Sequence, residues 1–307
     1  MSIGIGLGIA GFPFSSPRAF LGWIDLCEDR GVDSVWITDR LISSSPMLEP
    51  LAAFGVIAGR TERLKFGMNA IVLPLRDPLV IAKECATLDY LSGGRLLTAF
   101  GVGSELAPEY RGTSRAFKGR GKQADEMLQI MTRLWAGERL SYEGEHYRYH
   151  DVVISPLPEQ QPLPVWIGGS SEAAVRRTAR YGTGWLGGIQ SPAQVKPVVA
   201  KIRAASVEAG RPIDEDHYGA GFPFRFGAMD EPIVQKQAAA LARIGEGTDP
   251  ASYMAVGGPD EITARIEEYI AAGVSKFVAR PIADNETDMA IQTERLVEEV
   301  LPRFLGR

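Results

Sequence analysis

The chain has 307 residues, of which 45% are hydrophobic and 23% charged, a composition typical of a globular protein. Its formal net charge of −5 carries no electrostatic signature of binding to nucleic acid or to an anionic membrane. No apolar run approaches the ~18 residues of a spanning helix, and no signal peptide is visible, so we expect a cytoplasmic protein.

Short β-branched runs alternate with longer amphipathic stretches along the chain. The runs predict eight strands, at residues 3–10, 32–38, 64–73, 95–102, 165–167, 184–189, 219–226 and 276–280. The stretches predict helices at about 17–30, 48–60, 77–91, 118–135, 172–181, 192–209, 232–244, 259–272 and from 288 onward. Eight strands, each followed by helix, predict a single (β/α)8 TIM barrel domain spanning residues 1–307. An open, doubly wound sheet is the alternative.

One segment departs from this alternation. Residues 142–154 have strand-like alternation and predict a hairpin inserted between barrel units, followed by a proline-rich extended connection. Cys27 and Cys85 lie in predicted helices and are expected to be buried, reduced thiols.

Several familiar motifs can be set aside. Residues 6–11 match the dinucleotide fingerprint GxGxxG, but Phe12-Pro13 follows where a helix should begin, so the glycines more plausibly allow close approach to a ligand or a neighbouring strand. His146 and His150 are four residues apart in a strand-like segment with no third ligand beside them, which argues against a metal site. No nucleophile elbow or P-loop occurs.

Glycines recur where predicted strands end. In a barrel, binding and catalytic groups come from these carboxyl ends, and glycine allows the backbone to approach a flat ring or a phosphate. The sharpest case is Gly168-Gly169-Ser170-Ser171, between a strand and a helix, whose N–H groups could hold a phosphate. A serine N-cap without any ligand explains it equally well.

The motifs in chain order resemble the bacterial luciferase-like family of flavin-dependent monooxygenases, which also contains oxidoreductases that use the deazaflavin coenzyme F-420. The resemblance runs over almost the whole chain. Its carriers are VWITD (35–39), RTERLKFG (60–67), VLPLRDP (72–78), ATLDYLSGGRL (86–96), GVG (101–103), Arg120, Asp125-Glu126, PVWIGGS (164–170) and GGPDE (257–261).

The resemblance implies a cofactor ring across the carboxyl-end mouth of the barrel, enclosed by long loops. It implies cofactor contacts at Asp39, Asn69, Ala70, Gly101, Gly103, Ser104, Arg120, Gly168, Gly169, Ser170, Ser171 and Trp185. It also implies a non-proline cis peptide at Asn69-Ala70, and a homodimer.

Two positions depart from the family pattern. Asp39 is followed by Arg40, where members commonly have a histidine that transfers protons. Arginine stays protonated, so Arg40 is better suited to binding an anion or orienting an oxygen than to acting as a base. We nevertheless assign Asp39 and Arg40 as the catalytic candidates. Thr183 stands where the family usually has an aspartate, which weakens the contacts inferred for that loop.

The segment 111–122 is basic within an acidic protein. A solvated loop is the simpler interpretation. The alternative is a loop that folds over the mouth and supplies positive charge to a cofactor phosphate or an anionic substrate.

These observations favour an FMN-dependent monooxygenase acting on a small organic substrate, with a separate flavin reductase as a candidate partner. FMN is preferred because the basic loop and residues 168–171 could hold one terminal phosphate, and because no separate tract is visible for a polyglutamate tail. Hydride transfer with coenzyme F-420 is the close alternative. A flavin-binding protein without catalysis and a non-redox barrel enzyme are the remaining alternatives, the latter disfavoured because strand-end lysines lie only at the amino ends.

Overall fold

The barrel is built from short strands separated by helices. The computed structural model describes residues 2–105, 107–243 and 248–306. The strands are β1 Gly4–Ile9, β2 Ser34–Ile37, β3 Lys65–Met68, β4 Ile71–Val72, β5 Leu96–Leu97, β6 Ala99–Gly101, β7 Leu140–Glu143, β8 Arg148–Val152, β9 Trp166–Gly168, β10 Gly184–Leu186, β11 Tyr218–Phe226, β12 Ala255–Gly257 and β13 Lys276–Pro281. The helices are α1 Pro17–Asp29, α2 Pro50–Arg60, α3 Pro78–Ser92, α4 Glu109–Gly112, α5 Arg120–Trp135, α6 Glu172–Tyr181, α7 Pro192–Glu208, α8 Pro232–Ala242, α9 Pro259–Ala271 and α10 Glu286–Arg295.

The strand pairings close the sheet on itself. β3 and β4 are two halves of the third barrel strand, and β5 and β6 are two halves of the fourth, since β3 pairs with β5 and β4 with β6. The remaining parallel pairs run β6–β9–β10–β11–β13–β1–β2–β3. Eight parallel strands therefore neighbour one another in chain order around a ring, which confirms the predicted (β/α)8 barrel.

The inserted hairpin is also confirmed. β7 and β8 pair antiparallel, and the Glu126 carboxylate of α5 accepts hydrogen bonds from the backbone N–H groups of Glu145, His146 and Tyr147 in the turn. One acidic side chain on a barrel helix thus fixes the hairpin to the barrel.

Some boundaries differ from those predicted. The predicted sixth strand, 184–189, ends early at Leu186. β12 was missed: it pairs with the end of β11, from Phe224 to Phe226, where that nine-residue strand would otherwise leave an open edge. The predicted helix 232–244 ends at Ala242, and its last expected residue, Ile244, lies outside the described residues.

Two indole rings fill the lumen. Phe66 faces outward against Phe54 of α2, so Gly67 faces inward, where a Cβ would lie 2.4 Å from Trp36 Cε3. A Cβ on Gly184 of β10 would similarly lie 2.5 Å from Trp166 Cε2. The strand glycines therefore accommodate tryptophans of neighbouring strands.

The glycines of the first strand also lie against side chains of neighbouring strands. A Cβ on Gly6 would lie 2.2 Å from Ser34 Oγ, and one on Gly8 would lie 2.6 Å from Val278 Cγ1. These glycines make room for lumen side chains of the adjacent strands, β2 and β13, in place of a nucleotide-binding turn.

Both cysteines are buried and unpaired, as expected. Burial raises the pKa of the Cys27 thiol well above its ordinary value, which keeps it protonated. In the described ranges, no helix is both long and apolar enough to cross a membrane.

Candidate functional site

The ends of three consecutive barrel strands meet around one methyl group. The Asn69-Ala70 peptide between β3 and β4 is cis, as the resemblance implied. A Cβ built on Gly168 would lie 3.5 Å from the Ala70 Cβ, and one built on Gly101 would lie 3.9 Å from it. Any side chain at either glycine would cover Ala70. We call Ala70, Gly101 and Gly168 the glycine floor, a flat surface open to a planar ring.

Asn69 stands at the edge of this floor. Its backbone N–H donates to the Ile37 carbonyl at 3.0 Å, which ties the third strand to the second. Within the described residues, its carboxamide makes no hydrogen bond that would occupy it. An amide that can both donate and accept is therefore available beside the floor.

Asp39 supports the floor from the second strand. Its side chain is 1% exposed and accepts from Arg76 at 2.6 and 2.9 Å and from the Val72 N–H at 2.9 Å. Arg76 also donates to Glu49 at 3.0 Å. Burial alone would lower the pKa of Arg76, but the carboxylates of Asp39 and Glu49 raise it. Both oxygens of Asp39 are thus engaged in holding β4 in place.

Arg40 pairs with a carboxylate from the next loop of the mouth. Its Nη1 lies 3.4 Å from both carboxylate oxygens of Glu109, the first residue of α4. The Arg40 side chain is 40% exposed, whereas that of Glu109 is 5% exposed. Sequence reasoning missed Glu109. Its four-residue helix carries no signal that would set this acid apart from its neighbours.

The loop after the fourth strand folds back onto the floor. Tyr110 is buried and donates from its hydroxyl to the Val102 carbonyl at 2.6 Å. Gly103 has a φ of 69°, and a Cβ there would lie 2.9 Å from Val72 Cγ1. Gly103 is thus required by backbone conformation and by packing, while Ser104 is exposed beyond it.

The loop that opens α6 has its serines engaged. Ser171 is the N-cap and accepts from the Ala174 N–H at 3.2 Å. Ser170 donates to the side-chain oxygen of Gln190, whose backbone carbonyl accepts from the Tyr269 hydroxyl at 2.6 Å. Gly169, with a φ of 103°, is exposed between Gly168 and the serines. The motif therefore contains a serine N-cap, as one of the two interpretations expected, and Gly169 stays exposed at the mouth.

Trp185 does not lie where the sequence analysis expected it. Gly184 faces the lumen, so its neighbour Trp185 faces outward toward the helices. The ring is fully buried, and Nε1 donates to the Gly169 carbonyl at 2.7 Å. Trp185 holds the Gly168-Gly169 turn from behind and presents no surface to a ligand in the mouth.

Thr183 lies away from the mouth as well. Its hydroxyl accepts from the Val165 N–H at 2.9 Å, at the amino end of the fifth strand. The departure from the family pattern at this residue leaves the mouth unchanged.

Two arginines lie beside each other at the start of α5 and on α6, and Arg177 of α6 borders the floor. Arg177, which is 8% exposed, donates to Asp125 at 2.6 Å and to the Gly121 carbonyl at 2.9 Å. It lines a narrow recess whose walls include Gly101 and Gly168. Sequence reasoning missed Arg177, although an arginine on the apolar face of an amphipathic helix is a visible signal.

Arg120 is the second of these arginines. Its guanidinium carbon lies 3.5 Å from the centre of the Phe117 ring, and its buried Nε has no hydrogen-bond partner. In the rest of the basic segment, Arg111, Arg115, Lys118 and Lys122 are exposed.

The part of the chain that the structure describes contains no cluster of three or more His, Cys, Asp or Glu side chains that could hold a metal ion.

The family model for luciferase-like monooxygenase matches residues 8–251. The chain belongs to this family. It is therefore a member of the luciferase-like superfamily of oxidoreductases, and it has the barrel described above.

Three individual likenesses illustrate the range of relatives. An uncharacterized protein of Mycobacterium bovis is 32% identical over 56% of the chain, and the match spans 59% of that relative's length. An F-420-dependent glucose-6-phosphate dehydrogenase of Beutenbergia cavernae is 27% identical, covering 95% of each chain. The structure of monooxygenase RslO1 from Streptomyces bottropensis has a TM-score of 0.83 at 22% identity, covering 98% of this chain and 100% of that one, a likeness in fold.

Proposed function

We propose that this protein is an oxidoreductase that binds a planar deazaflavin or flavin ring on the glycine floor, with hydride transfer to or from coenzyme F-420 as its activity. The floor carries the proposal. Ala70 is the one Cβ-bearing member, and Gly101 and Gly168 leave the surface flat. A planar ring can approach such backbone closely.

The residues beside the floor fit the phosphate of such a cofactor. Gly169 is exposed at the start of α6, where N–H groups and the helix dipole favour an anion. Arg177 lines the adjoining recess, and Arg120 has an unsatisfied Nε at the start of α5. The N-terminus of α6 and Arg120 therefore offer positive potential to an anion, whereas Arg177 already pairs with Asp125.

When bound, the ring of coenzyme F-420 supplies a two-electron acceptor or donor of hydride. The chain's own part is binding, orientation and proton transfer. Asn69 is available to orient a polar edge of ring or substrate. Asp39 acts as a positioning residue, because Arg76 and Val72 occupy both of its oxygens.

Glu109 is our candidate for the group that holds or moves a proton. Its carboxylate is held less closely, at 3.4 Å from Arg40, than the carboxylate of Asp39 is held by Arg76. This assignment supplies the acid–base group that the family pattern would have placed at position 40.

The choice of F-420 over FMN rests on the relatives. The dehydrogenase of Beutenbergia cavernae, which covers 95% of the chain, is named for that coenzyme. An FMN-dependent monooxygenase is the second candidate, favoured by the family model itself.

The proposal is tested by titrating the purified protein with coenzyme F-420 and, separately, with FMN, following cofactor fluorescence. We expect saturable binding of F-420, weakened at least tenfold by Gly101→Val, which covers Ala70. Gly188→Ala is the matched control, because nothing lies within 4 Å of its added Cβ. Equal binding by both variants, or no binding of either cofactor, would contradict the proposal.

We also propose that the protein is one domain that forms a homodimer. The exposed apolar side chains Val56 of α2 and Val80 and Leu91 of α3 support this, at 52%, 54% and 70% exposure. Size-exclusion chromatography with light scattering should give twice the chain mass, and Val80→Glu should shift it toward the monomer.

A further inference from the structure

One arginine at the mouth has a buried head group without a counter-charge. Arg280 is the fifth of the six residues of β13. Its Cγ lies 2.7 Å from the position that a Cβ on Gly8 would take, so its stem lies in the lumen above that glycine. The side chain therefore belongs to the uppermost layer of the lumen, where the mouth opens.

Arg280 makes no ion pair and no hydrogen bond through its side chain with the residues described, and its Nη2 is buried without a partner. Arg225, at the neighbouring strand end, is a useful contrast. It donates to Glu231 at 2.6 Å and to Asp288 at 2.7 Å. A desolvated guanidinium without such partners is costly, so an anion that pairs with Arg280 would bind favourably.

A buried hydroxyl shares this environment. Tyr253 is 1% exposed, and its hydroxyl has no hydrogen-bond partner among the described residues. Burial raises the pKa of Tyr253, and the positive charge of Arg280 opposes that rise, which indicates that the two groups interact. Buried tyrosine hydroxyls normally have partners. The strand pairings also bring the two groups to one place, because Phe224 of β11 pairs with Ala255, two residues after Tyr253, and with Pro281, the residue after Arg280.

The lumen is open above Arg280. The first strand is the neighbour of β13, and Gly8, which has no side chain, lies against the stem of Arg280. A ligand that enters from the mouth can therefore place an anionic end at Arg280.

We propose that Arg280 and Tyr253 bind the anionic oxygen group, carboxylate or phosphate, of an organic substrate that enters from the mouth. The inference rests on the proposed function and names its substrate class. In a ring of eight strands, β13 stands opposite the fourth strand, which carries Gly101. The anion subsite and the glycine floor therefore face each other across the mouth, which places a substrate between them.

The test compares ligands of one shape and different charge. The full-length protein is titrated by calorimetry with benzoate, phenyl phosphate and neutral benzamide. We expect at least one of the two anions to bind about tenfold or more tightly than benzamide, since a charged hydrogen bond contributes that much. The stronger anion identifies carboxylate or phosphate as the group. Equal affinities for all three ligands would overturn the proposal, because water would then satisfy both donors.

Substitutions test which residues cause the preference for an anion over benzamide. Arg280→Met should remove it and Arg280→Lys should keep part of it, while Tyr253→Phe should weaken anion binding by a few fold. Arg139→Met, at an exposed arginine of the hairpin, is the control for loss of one charge. If Arg280→Met does not fold, Arg280→Lys and Tyr253→Phe carry the test. Wild-type anion affinity in Arg280→Met, or in both of the milder variants, would overturn the proposal.

Cofactor titrations separate the two proposals. Arg280→Met should bind coenzyme F-420 as wild type does. Weakened cofactor binding with unchanged benzoate binding would assign Arg280 to the cofactor and overturn this inference alone. Wild-type protein that binds neither cofactor would overturn the proposed function, and the benzoate titration would still decide the role of Arg280.

Discussion

Replacing Asp39 by asparagine tests how the floor is supported. Removing one partner of a buried ion pair costs about 3–5 kcal/mol, because the other charge stays buried. Arg76 is 12% exposed and keeps Glu49 as a partner, and asparagine keeps one acceptor oxygen. We therefore expect Asp39→Asn to lose about 3 kcal/mol, the lower end of that range, in urea unfolding.

The matched control is Asp25→Asn. Asp25 receives two hydrogen bonds of 2.6 Å from Arg60, a geometry close to that of Asp39 with Arg76, but both side chains are about 40% exposed. Exposed pairs are screened by solvent, so no resolvable change is expected. Similar losses for both variants, or a loss below about 1 kcal/mol for Asp39→Asn, would refute the argument that burial makes the pair matter. Asp39→Asn should also weaken cofactor binding, since the Val72 N–H loses a charged acceptor.

The remaining predictions concern other parts of the molecule. Gly67→Ala should destabilise the fold by about 1–3 kcal/mol through overpacking against Trp36, whereas Gly22→Ala, with open space around it, should stabilise α1 by about 0.5–1 kcal/mol, both read from urea unfolding. Glu109→Gln should lower kcat with little change in cofactor affinity, and Glu105→Gln in the same loop should leave both unchanged. Burial and the Asp77 carboxylate raise the pKa of Tyr149 to about 12. The stability that its neutral hydroxyl gives to the fold is therefore present below pH 10 and is lost as the pH rises toward 12. Thermal melts should therefore converge with those of Tyr149→Phe across that interval, and parallel curves would contradict the assignment.

The barrel could be predicted because its signal is local. Each strand and helix has its own periodicity, and eight repetitions leave few topologies. β12 escaped because three residues carry no periodicity, and its place depends on how far β11 extends. Trp185 was misplaced for a different reason: its position at a strand end was read without regard to the side on which an alternating strand presents it.

The charges of the site were harder to anticipate. Asp39 and Arg76 are 37 residues apart, and nothing local shows that both carboxylate oxygens are taken. Arg280 resembles any strand-end arginine in sequence. Its lack of a counter-charge appears only in the tertiary structure, where the carboxylates of Glu231 and Asp288 pair with Arg225 at the end of the neighbouring strand. Pairing between distant charges is set by the tertiary structure.

The match between glycine and indole in the lumen also determines strand register. If β3 slipped by one residue against β2, Phe66 or Met68 would occupy the place where Gly67 now faces Trp36, and the ring would have no room. The same holds for β10 against β9, through Gly184 and Trp166. Each tryptophan thus allows only one alignment of its own strand with the neighbouring strand. One pair fixes the height of the third strand, which leads to Ala70, against the second, and the other fixes the height of the fifth strand, which ends at Gly168, against the sixth.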